Sequence, residues 1–347
     1  MKIAVLGGGN GACAAAADLT EKGHEVRWWR RNAAALRSRI TLKDADGERA
    51  VAIRTCPDIG EAVRGAELVF MPDPAFTQED NAARLAPHLI PDQVVFLAPG
   101  TFGSLVLGRK FASVAAAETG TLPWLTRKHG PDAVAITTRA TRLPTGVFPA
   151  KKSREALERI KRVFPIEPLE DALSAALMNA GPIIHPPLIF MNAGPLEHFE
   201  RWDIHKEGTQ PAIRRVTDAL DAERVAAREA LGYRPPHFRL ADHYRADGEE
   251  WMYGRRVHKK LTDSGDWRER IVLTEHRYML EDVAFGLAFL VSVCDWAGVA
   301  CPVARGLLAL GSAVLGRDLR KTGRTLENLG LAKYSRQEMT ALLKEGL

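Results

Sequence analysis

The chain begins with an apolar run at residues 3–6, then a glycine-rich turn, an alanine-rich stretch with helical character, and a second strand-like stretch at 24–29. A short apolar run bounded by glycine reads as a buried strand, so this opening predicts strand, turn, helix and strand. Further strands are predicted at 67–71 and 93–97. Helices are predicted at 58–64, where Asp58 can cap, at 77–89, and at 32–40. Residues 41–54 carry an Asp46-Gly47 turn between two strand-like pieces and read as a hairpin insertion. Strands at 111–117 and 133–138 are expected to complete the sheet, 153–163 is a last amphipathic helix, and 165–168 is a linker. Strands alternating with helices mean a parallel sheet. From residue 169 onward the spacing is helical almost throughout, interrupted by a polar stretch at 233–270.

Within the opening turn, Gly7, Gly9 and Ala12 fall at the spacing G-x-G-x-x-A, with Asn10 and Gly11 between them. Gly7 makes the tight turn, Gly9 lets backbone N–H groups approach a pyrophosphate, and Ala12 lets the helix lie close on the strand. The motif follows a strand, opens a helix and precedes a second strand, which is the context of dinucleotide binding. The expected organisation is an α/β Rossmann domain, a doubly wound parallel sheet, over 1–168 and an all-α domain over 169–347. The loop Ala98-Pro99-Gly100-Thr101-Phe102-Gly103 follows a strand at the end where open α/β sheets bind ligands. Pro99 and Gly100 are therefore placed beneath the nicotinamide.

The second strand ends in Trp29-Arg30-Arg31-Asn32. An acid about 20 residues past the glycines would accept hydrogen bonds from the ribose hydroxyls of NAD, whereas arginine accommodates a 2′-phosphate. Two cations at the expected start of a helix also oppose its dipole, a conflict that a bound phosphate removes. Arg30 and Arg31 thus predict a preference for NADP(H), with NAD(H) as the lesser cofactor; the competing reading is a solvated basic turn.

At 347 residues the chain is long enough for two domains. Its net charge of +5 is dispersed, with no basic, aromatic-studded face for nucleic acid. The four cysteines, Cys13, Cys56, Cys294 and Cys301, form no C-x-x-C pair, so neither a zinc site nor a disulfide framework is expected, and a reducing cytoplasm is the natural setting. The most apolar stretch, residues 283–294, ends at Asp295 and is buried-helix length, so no membrane partner is expected. The apolar face at 307–315 reads equally as core or as a homodimer contact.

Two stretches of the second domain carry candidate chemistry. In Leu177-Met178-Asn179-Ala180-Gly181-Pro182-Ile183-Ile184-His185-Pro186-Pro187, a histidine lies among apolar residues beside a glycine and three prolines, where a break in the helix would leave backbone groups unpaired. In Arg277-Tyr278-Met279-Leu280-Glu281-Asp282-Val283, charges run into the most hydrophobic helix, where they need partners. By composition and spacing alone, a structural histidine and a helix-start ion pair account for these residues as well as catalysis does.

The same residues resemble the opine dehydrogenase family, in particular the octopine/nopaline dehydrogenase group and bacterial carboxyethyl-norvaline dehydrogenase. The similarity runs from the G-x-G-N-G opening through Asn179-x5-His185-Pro186, Asn192, Asp221-Ala-Glu-Arg224 and Arg277-Tyr278-x3-Asp282 to Gly323-Arg-Thr-Leu-Glu-Asn-Leu-Gly330. It implies a Rossmann domain followed by a helical domain, joining the amine of an amino acid to a 2-oxo acid such as pyruvate with NAD(P)H. Carried over, the catalytic histidine is His185, its orienting aspartate Asp282, and the substrate-binding residues Arg277 and Asn179. Imidazole titrates close enough to neutrality to move protons on and off nitrogen and oxygen. A carboxylate on its other nitrogen fixes the tautomer, and arginine grips a carboxylate through two parallel hydrogen bonds. On one α-helix a separation of five would set Arg277 and Asp282 about 140° apart, so a helix is expected to begin between them. The sequence departs from the family at Ala98, where relatives often have Asn, and at Gly181, where one relative has Asn, so a substrate specificity different from those relatives is expected.

Two other readings share the layout. Ketopantoate reductases and 6-phosphogluconate-type dehydrogenases rely on a lysine entering the second domain, but no lysine occurs between Lys161 and Lys206. A dinucleotide-binding sensor without turnover would need none of the His185, Arg277 and Asp282 trio.

Overall fold

The computed structural model describes Met1–Leu347, the side chain of Ala33 excepted. It divides into two compact units, Met1–Ala176 with Thr340–Leu347, and Leu177–Met339.

The first unit holds twelve strands: β1 (Lys2–Leu6), β2 (Glu25–Trp29), β3 (Arg39–Asp44), β4 (Gly47–Ala52), β5 (Arg54–Thr55), β6 (Leu68–Met71), β7 (Val94–Leu97), β8 (Ala115–Thr119), β9 (Trp124–Lys128), β10 (Ala133–Arg139), β11 (Leu143–Phe148) and β12 (Ile166–Pro168). Eight of them form one sheet in the order β12-β11-β8-β7-β6-β1-β2-β5. It is parallel except where β11 runs antiparallel to β8. The apolar runs read from the sequence are its centre: Ile3 stands beside Val26 and Leu68, and Phe70 beside Phe96, all buried. Strands covered on both faces need unbroken apolar runs, which is why these were legible. The expected α/β Rossmann sheet and helical second unit are both found.

The edges differ from expectation for tertiary reasons. Residues 32–40 give one short turn, Ala33–Ala35, because Ile40 is taken into β3 opposite Val51 and fully buried there. The hairpin around Gly47 is present, its glycine at φ +106°. It belongs to a second, four-stranded sheet, β4-β3-β10-β9, so residues 133–138 do not extend the main sheet as expected. Residues 165–168 are not a linker, since β12 pairs with β11. The strand expected at 111–117 begins later, at Ala115, after an unforeseen helix, Gly103–Lys110.

In the second unit a wide-turned π-helix, Tyr278–Leu287, continues directly into the helix Ala288–Ala297 and packs against Gly181–Met191 and Pro302–Leu315, while Pro211–Ala230 packs against those three α-helices. Two short strands, Trp202–Asp203 and Arg268–Glu269, pair antiparallel. Motifs that carried the family resemblance hold this scaffold together. Asp221 pairs with Arg224 at 2.7 Å and accepts the Leu240 N–H at 2.7 Å. Glu223 accepts the N–H groups of Val303 and Ala304 at 2.8 Å, satisfying the first turn of Pro302–Leu315. Along that helix Leu307 is buried, while Leu310 and Val314 are exposed.

Candidate active site

The glycine turn in the first unit is built as the motif requires. Gly7 has φ +110°, and a Cβ there would lie 2.6 Å from Asp73 Oδ1. The Trp28 indole N–H donates to the Gly7 carbonyl at 2.8 Å, which fixes the turn to the second strand. Gly9 caps the helix Asn10–Glu21, whose first turn holds no acid, and a Cβ on Gly9 would meet no atom within 4 Å. Backbone N–H groups at a helix start with open space before them suit a phosphate.

Two cations face this turn. The Arg30 guanidinium lies 2.8 Å from where a Cβ on Gly8 would be, and its Nη1 donates to the Ala35 carbonyl at 3.2 Å. Lys128 Nζ donates to the Gly8 carbonyl at 3.3 Å, while its backbone N–H donates to Asn10 Oδ1 at 3.1 Å. Lys128 was not foreseen, because it arrives on β9 of the second sheet, more than a hundred residues along the chain. Arg31 turns instead to Asp80 Oδ2 at 2.5 Å and Asn81 Oδ1 at 3.0 Å.

Pro99 and Gly100 lie in the loop after β7, shaped by two polar side chains that the sequence reading missed. Glu118 on β8 is fully buried and accepts the N–H groups of Phe102 and Ser104 at 2.7 and 2.8 Å. Gln78 donates to the Gly100 carbonyl at 3.0 Å. These bonds hold Thr101 and Phe102 at positive φ and start the Gly103–Lys110 helix.

The candidate chemical centre lies wholly within the second unit. His185 sits midway along Gly181–Met191, which is a continuous helix despite Pro186 and Pro187 and not the broken one the prolines suggested. Its Nδ1 is 2.6 Å from Asp282 Oδ2. Both side chains are buried, Asp282 with 2% of its side chain exposed. Burial pushes the Asp282 carboxyl up to about 7, against the pull of Arg277. A carboxylate partner on Nδ1 leaves Nε2 as the nitrogen that exchanges protons with a substrate.

The π-helix resolves the spacing problem of Arg277 and Asp282. Its hydrogen bonds run from i to i+5, so its turns are wider than those of an α-helix, and Arg277 and Asp282 lie close enough for each to act on the other's charge. Arg277 is its capping residue, so the helix begins after it as expected. Arg277 donates to the buried Glu281 carboxylate at 3.0 Å. Burial pushes the Arg277 guanidinium down, but Glu281, Asp282 and Tyr278 outweigh it and leave it above its ordinary value. Tyr278, fully buried, stacks on the His185 ring with centroids 3.7 Å apart and planes 15° apart. Its hydroxyl lies 3.4 Å from His205 Nε2.

Close approach explains the departure at Gly181. A Cβ on Gly181 would fall 2.1 Å from Asp282 Oδ1, so the carboxylate occupies the space that any side chain would take at the start of this helix. The helix dipole favours an anion there. Gly286 does the same one layer away, where its Cβ would lie 2.1 Å from Pro182 Cγ. Gly181→Ala is therefore expected to displace Asp282 and lower turnover by about 10–100-fold, as a misplacement near 1 Å can. Steady-state kinetics beside an unchanged cofactor affinity would check it.

Asn179 Oδ1 accepts the Gly181 N–H at 3.0 Å, which ties it to the helix start. Asn192 donates to the Leu188 and Gly208 carbonyls at 2.8 and 3.1 Å. Part of the polar stretch 233–270 lines a cleft of about 660 Å³ between Tyr233 and Glu249. Among the described residues no group of three or more His, Cys, Asp or Glu is placed to hold a metal ion, and the four cysteines are buried free thiols.

The chain is similar to known proteins over most of its length. Residues 168–315 match the family model of the NAD/NADP octopine/nopaline dehydrogenase alpha-helical domain. An opine dehydrogenase of Arthrobacter sp. (strain 1C) is 28% identical, the alignment covering 95% of each chain. Among solved structures, octopine dehydrogenase with NADH and L-arginine superposes with a TM-score of 0.68 at 20% identity, covering 99% of this chain and 98% of that one. Yersinopine dehydrogenase with NADP+ bound gives 0.66 at 15% identity, covering 100% and 98%. The resemblance read from the sequence thus extends over nearly the whole chain.

Proposed function

We propose that this chain, similar to opine dehydrogenases along its length, is an NAD(P)H-dependent opine dehydrogenase that condenses the amine of an amino acid with a 2-oxo acid and reduces the imine. The observation that carries this reading is the buried His185–Asp282 pair at 2.6 Å, beside Arg277. The glycine turn, with open space at Gly9 and cations at Arg30 and Lys128, fits a dinucleotide. When bound, NAD(P)H supplies the hydride that reduces the imine carbon.

His185 does the proton work. As the amine nitrogen attacks the oxo carbon, Nε2 takes a proton from nitrogen. The imidazolium then returns it to the carbinolamine oxygen, and the one proton taken up in the overall reaction reaches that hydroxyl through the same nitrogen, so that it leaves as water while the nitrogen lone pair closes the C=N bond. Asp282 keeps the proton on Nδ1 and stabilises the imidazolium by charge. Arg277, steadied by Glu281, grips a substrate carboxylate, and Asn179, at the start of the His185 helix, is a second substrate contact. Amino acid, 2-oxo acid, NAD(P)H and one proton thereby give the N-(carboxyalkyl) amino acid, NAD(P)+ and water. A reducing cytoplasm suits the buried free thiols.

The test follows the oxidation of NADPH and NADH with a panel of 2-oxo acids, each with and without amino acids. Oxidation that requires both substrates supports the reading. Oxidation with a 2-oxo acid alone would instead indicate a hydroxyacid dehydrogenase, and cofactor binding without oxidation a sensor.

The same reading gives NADPH as the preferred cofactor, with Arg30 as the main contact for a 2′-phosphate and Arg31 a weaker one, because Asp80 already engages Arg31. Losing a charge-assisted pair to phosphate corresponds to about 1.5–3 kcal/mol, or roughly 10–100-fold. Arg30→Asp is expected to weaken NADPH binding by that factor and spare NADH. Equal losses for both cofactors, measured by fluorescence titration, would place Arg30 elsewhere on the dinucleotide.

A further inference from the structure

One side chain beside the reacting pair has no part in the proton transfers just described. Tyr278 is completely buried, and its ring lies face to face with His185, 3.7 Å between centroids and 15° from parallel. Two flat rings in this geometry present the electron-rich face of the phenol to the imidazole. The same π-helix that brings Asp282 to Nδ1 thus also supplies the surface on which the histidine ring lies. Tyr278 is itself fixed at its far end, where its hydroxyl lies 3.4 Å from His205 Nε2 and the His205 ring meets Trp267 edge-on at 5.2 Å.

We infer that Tyr278 is a positioning residue for the reaction, its ring face holding the plane of His185 and stabilising the imidazolium form that must return a proton to the departing oxygen. This rests on the proposed opine dehydrogenase reading. A ring face attracts a cation but not the neutral imidazole, so the stack favours the protonated form. Asp282 acts through the ring edge and Tyr278 through the ring face, so their effects are separable.

The charged and titratable groups around His185 come from several elements. Asp282, Arg277 and Glu281 lie on the π-helix segment, and His205 lies in the turn after Trp202–Asp203, its ring centroid 6.2 Å from that of His185. His276, edge-on to Tyr278 at 4.3 Å, pairs with Glu269 at 3.8 Å. Of the helices packed against Gly181–Met191, Pro211–Ala230 carries Asp221 and Arg224, which pair with each other, and Pro302–Leu315 carries Arg305, which pairs with Asp295. None of these lies flat on the imidazole as Tyr278 does, so removing the Tyr278 face should move the imidazolium selectively.

The experiment compares the pH profile of kcat/KM for the wild type with Tyr278→Phe and Tyr278→Leu. Phe keeps the ring face and loses only the hydroxyl, whereas Leu keeps bulk and loses the face. His185 must enter the reaction neutral to take the amine proton, so kcat/KM falls at acid pH as the ring becomes protonated, through its pKa. Tyr278→Leu is expected to move that limb down by roughly one pH unit, and Tyr278→Phe to leave it in place. An unmoved limb in Tyr278→Leu, or an equal shift in Tyr278→Phe, would overturn the inference. If Tyr278→Leu does not fold, phenylalanines of increasing fluorination at position 278 weaken the ring face without changing its shape. The limb should then step down with each fluorine, and invariance would overturn the proposal. An NMR titration of the His185 ring in the same variants reads the shift without turnover, so it separates failure of this inference from failure of the opine dehydrogenase reading.

Discussion

His185→Ala is expected to lower kcat for reductive condensation by about 10³-fold, within the 10²–10⁴ that a positioned acid–base group contributes. The side chain moves a proton in more than one step of the reaction, so its removal leaves both amine attack and water loss to solvent. It lies in the second unit, whereas the glycine turn, Arg30 and Lys128 lie in the first. NADPH affinity should stay within about twofold, because His185 acts on the protons of the substrate and not on the dinucleotide. The measurement pairs NADPH oxidation at saturating amino acid and 2-oxo acid with a fluorescence titration of NADPH. Turnover within tenfold of wild type would remove His185 from the chemistry.

The second large effect is at Asp282, where activity and stability are expected to move apart. Asparagine fills the same space but cannot hold the imidazolium by charge, so Asp282→Asn should lower kcat by about 10²–10⁴-fold. For stability the sign is the reverse of the usual carboxylate case. Burial raises Asp282 to about 7, above the unfolded value of about 3.9. The neutral form is thus favoured in the folded state, and that contribution is fully present below pH of about 4 and is lost as pH rises toward 7. Asparagine, neutral at every pH, removes the dependence. Denaturant melts of Asp282→Asn and wild type at pH 5 and pH 8 should show the variant gaining relative stability at the higher pH. A variant less stable at pH 8 than at pH 5, relative to wild type, would show that His185 fully compensates the buried charge.

How much of this was legible in the sequence varied with the distance over which residues act. Gly7 and Ala12 could be read because their job is local: a tight turn and a close helix are set by neighbours in the chain. The central strands could be read because burial on both faces demands continuous apolar runs. The helix Gly103–Lys110 could not, since it starts where Glu118, a strand away, accepts the N–H groups of Phe102 and Ser104. Lys128 was hidden for the same reason.

The His185, Arg277 and Asp282 trio came from family resemblance, because spacing alone allowed a structural histidine and a helix-start ion pair. Gly181 looked like a lost substrate contact and proved to be the space that Asp282 fills.

The sequence by itself determined the parallel sheet, the dinucleotide turn with its basic flank, and a helical second half, because hydrophobic period and turn chemistry act over a few residues. Only the tertiary structure decided that a π-helix begins between Arg277 and Asp282 and keeps them close enough to act on each other's charge, that Tyr278 lies flat on His185, and that Arg30 faces the glycine turn while Arg31 turns to Asp80. Each of those depends on contacts between segments far apart in the chain, which no local period encodes.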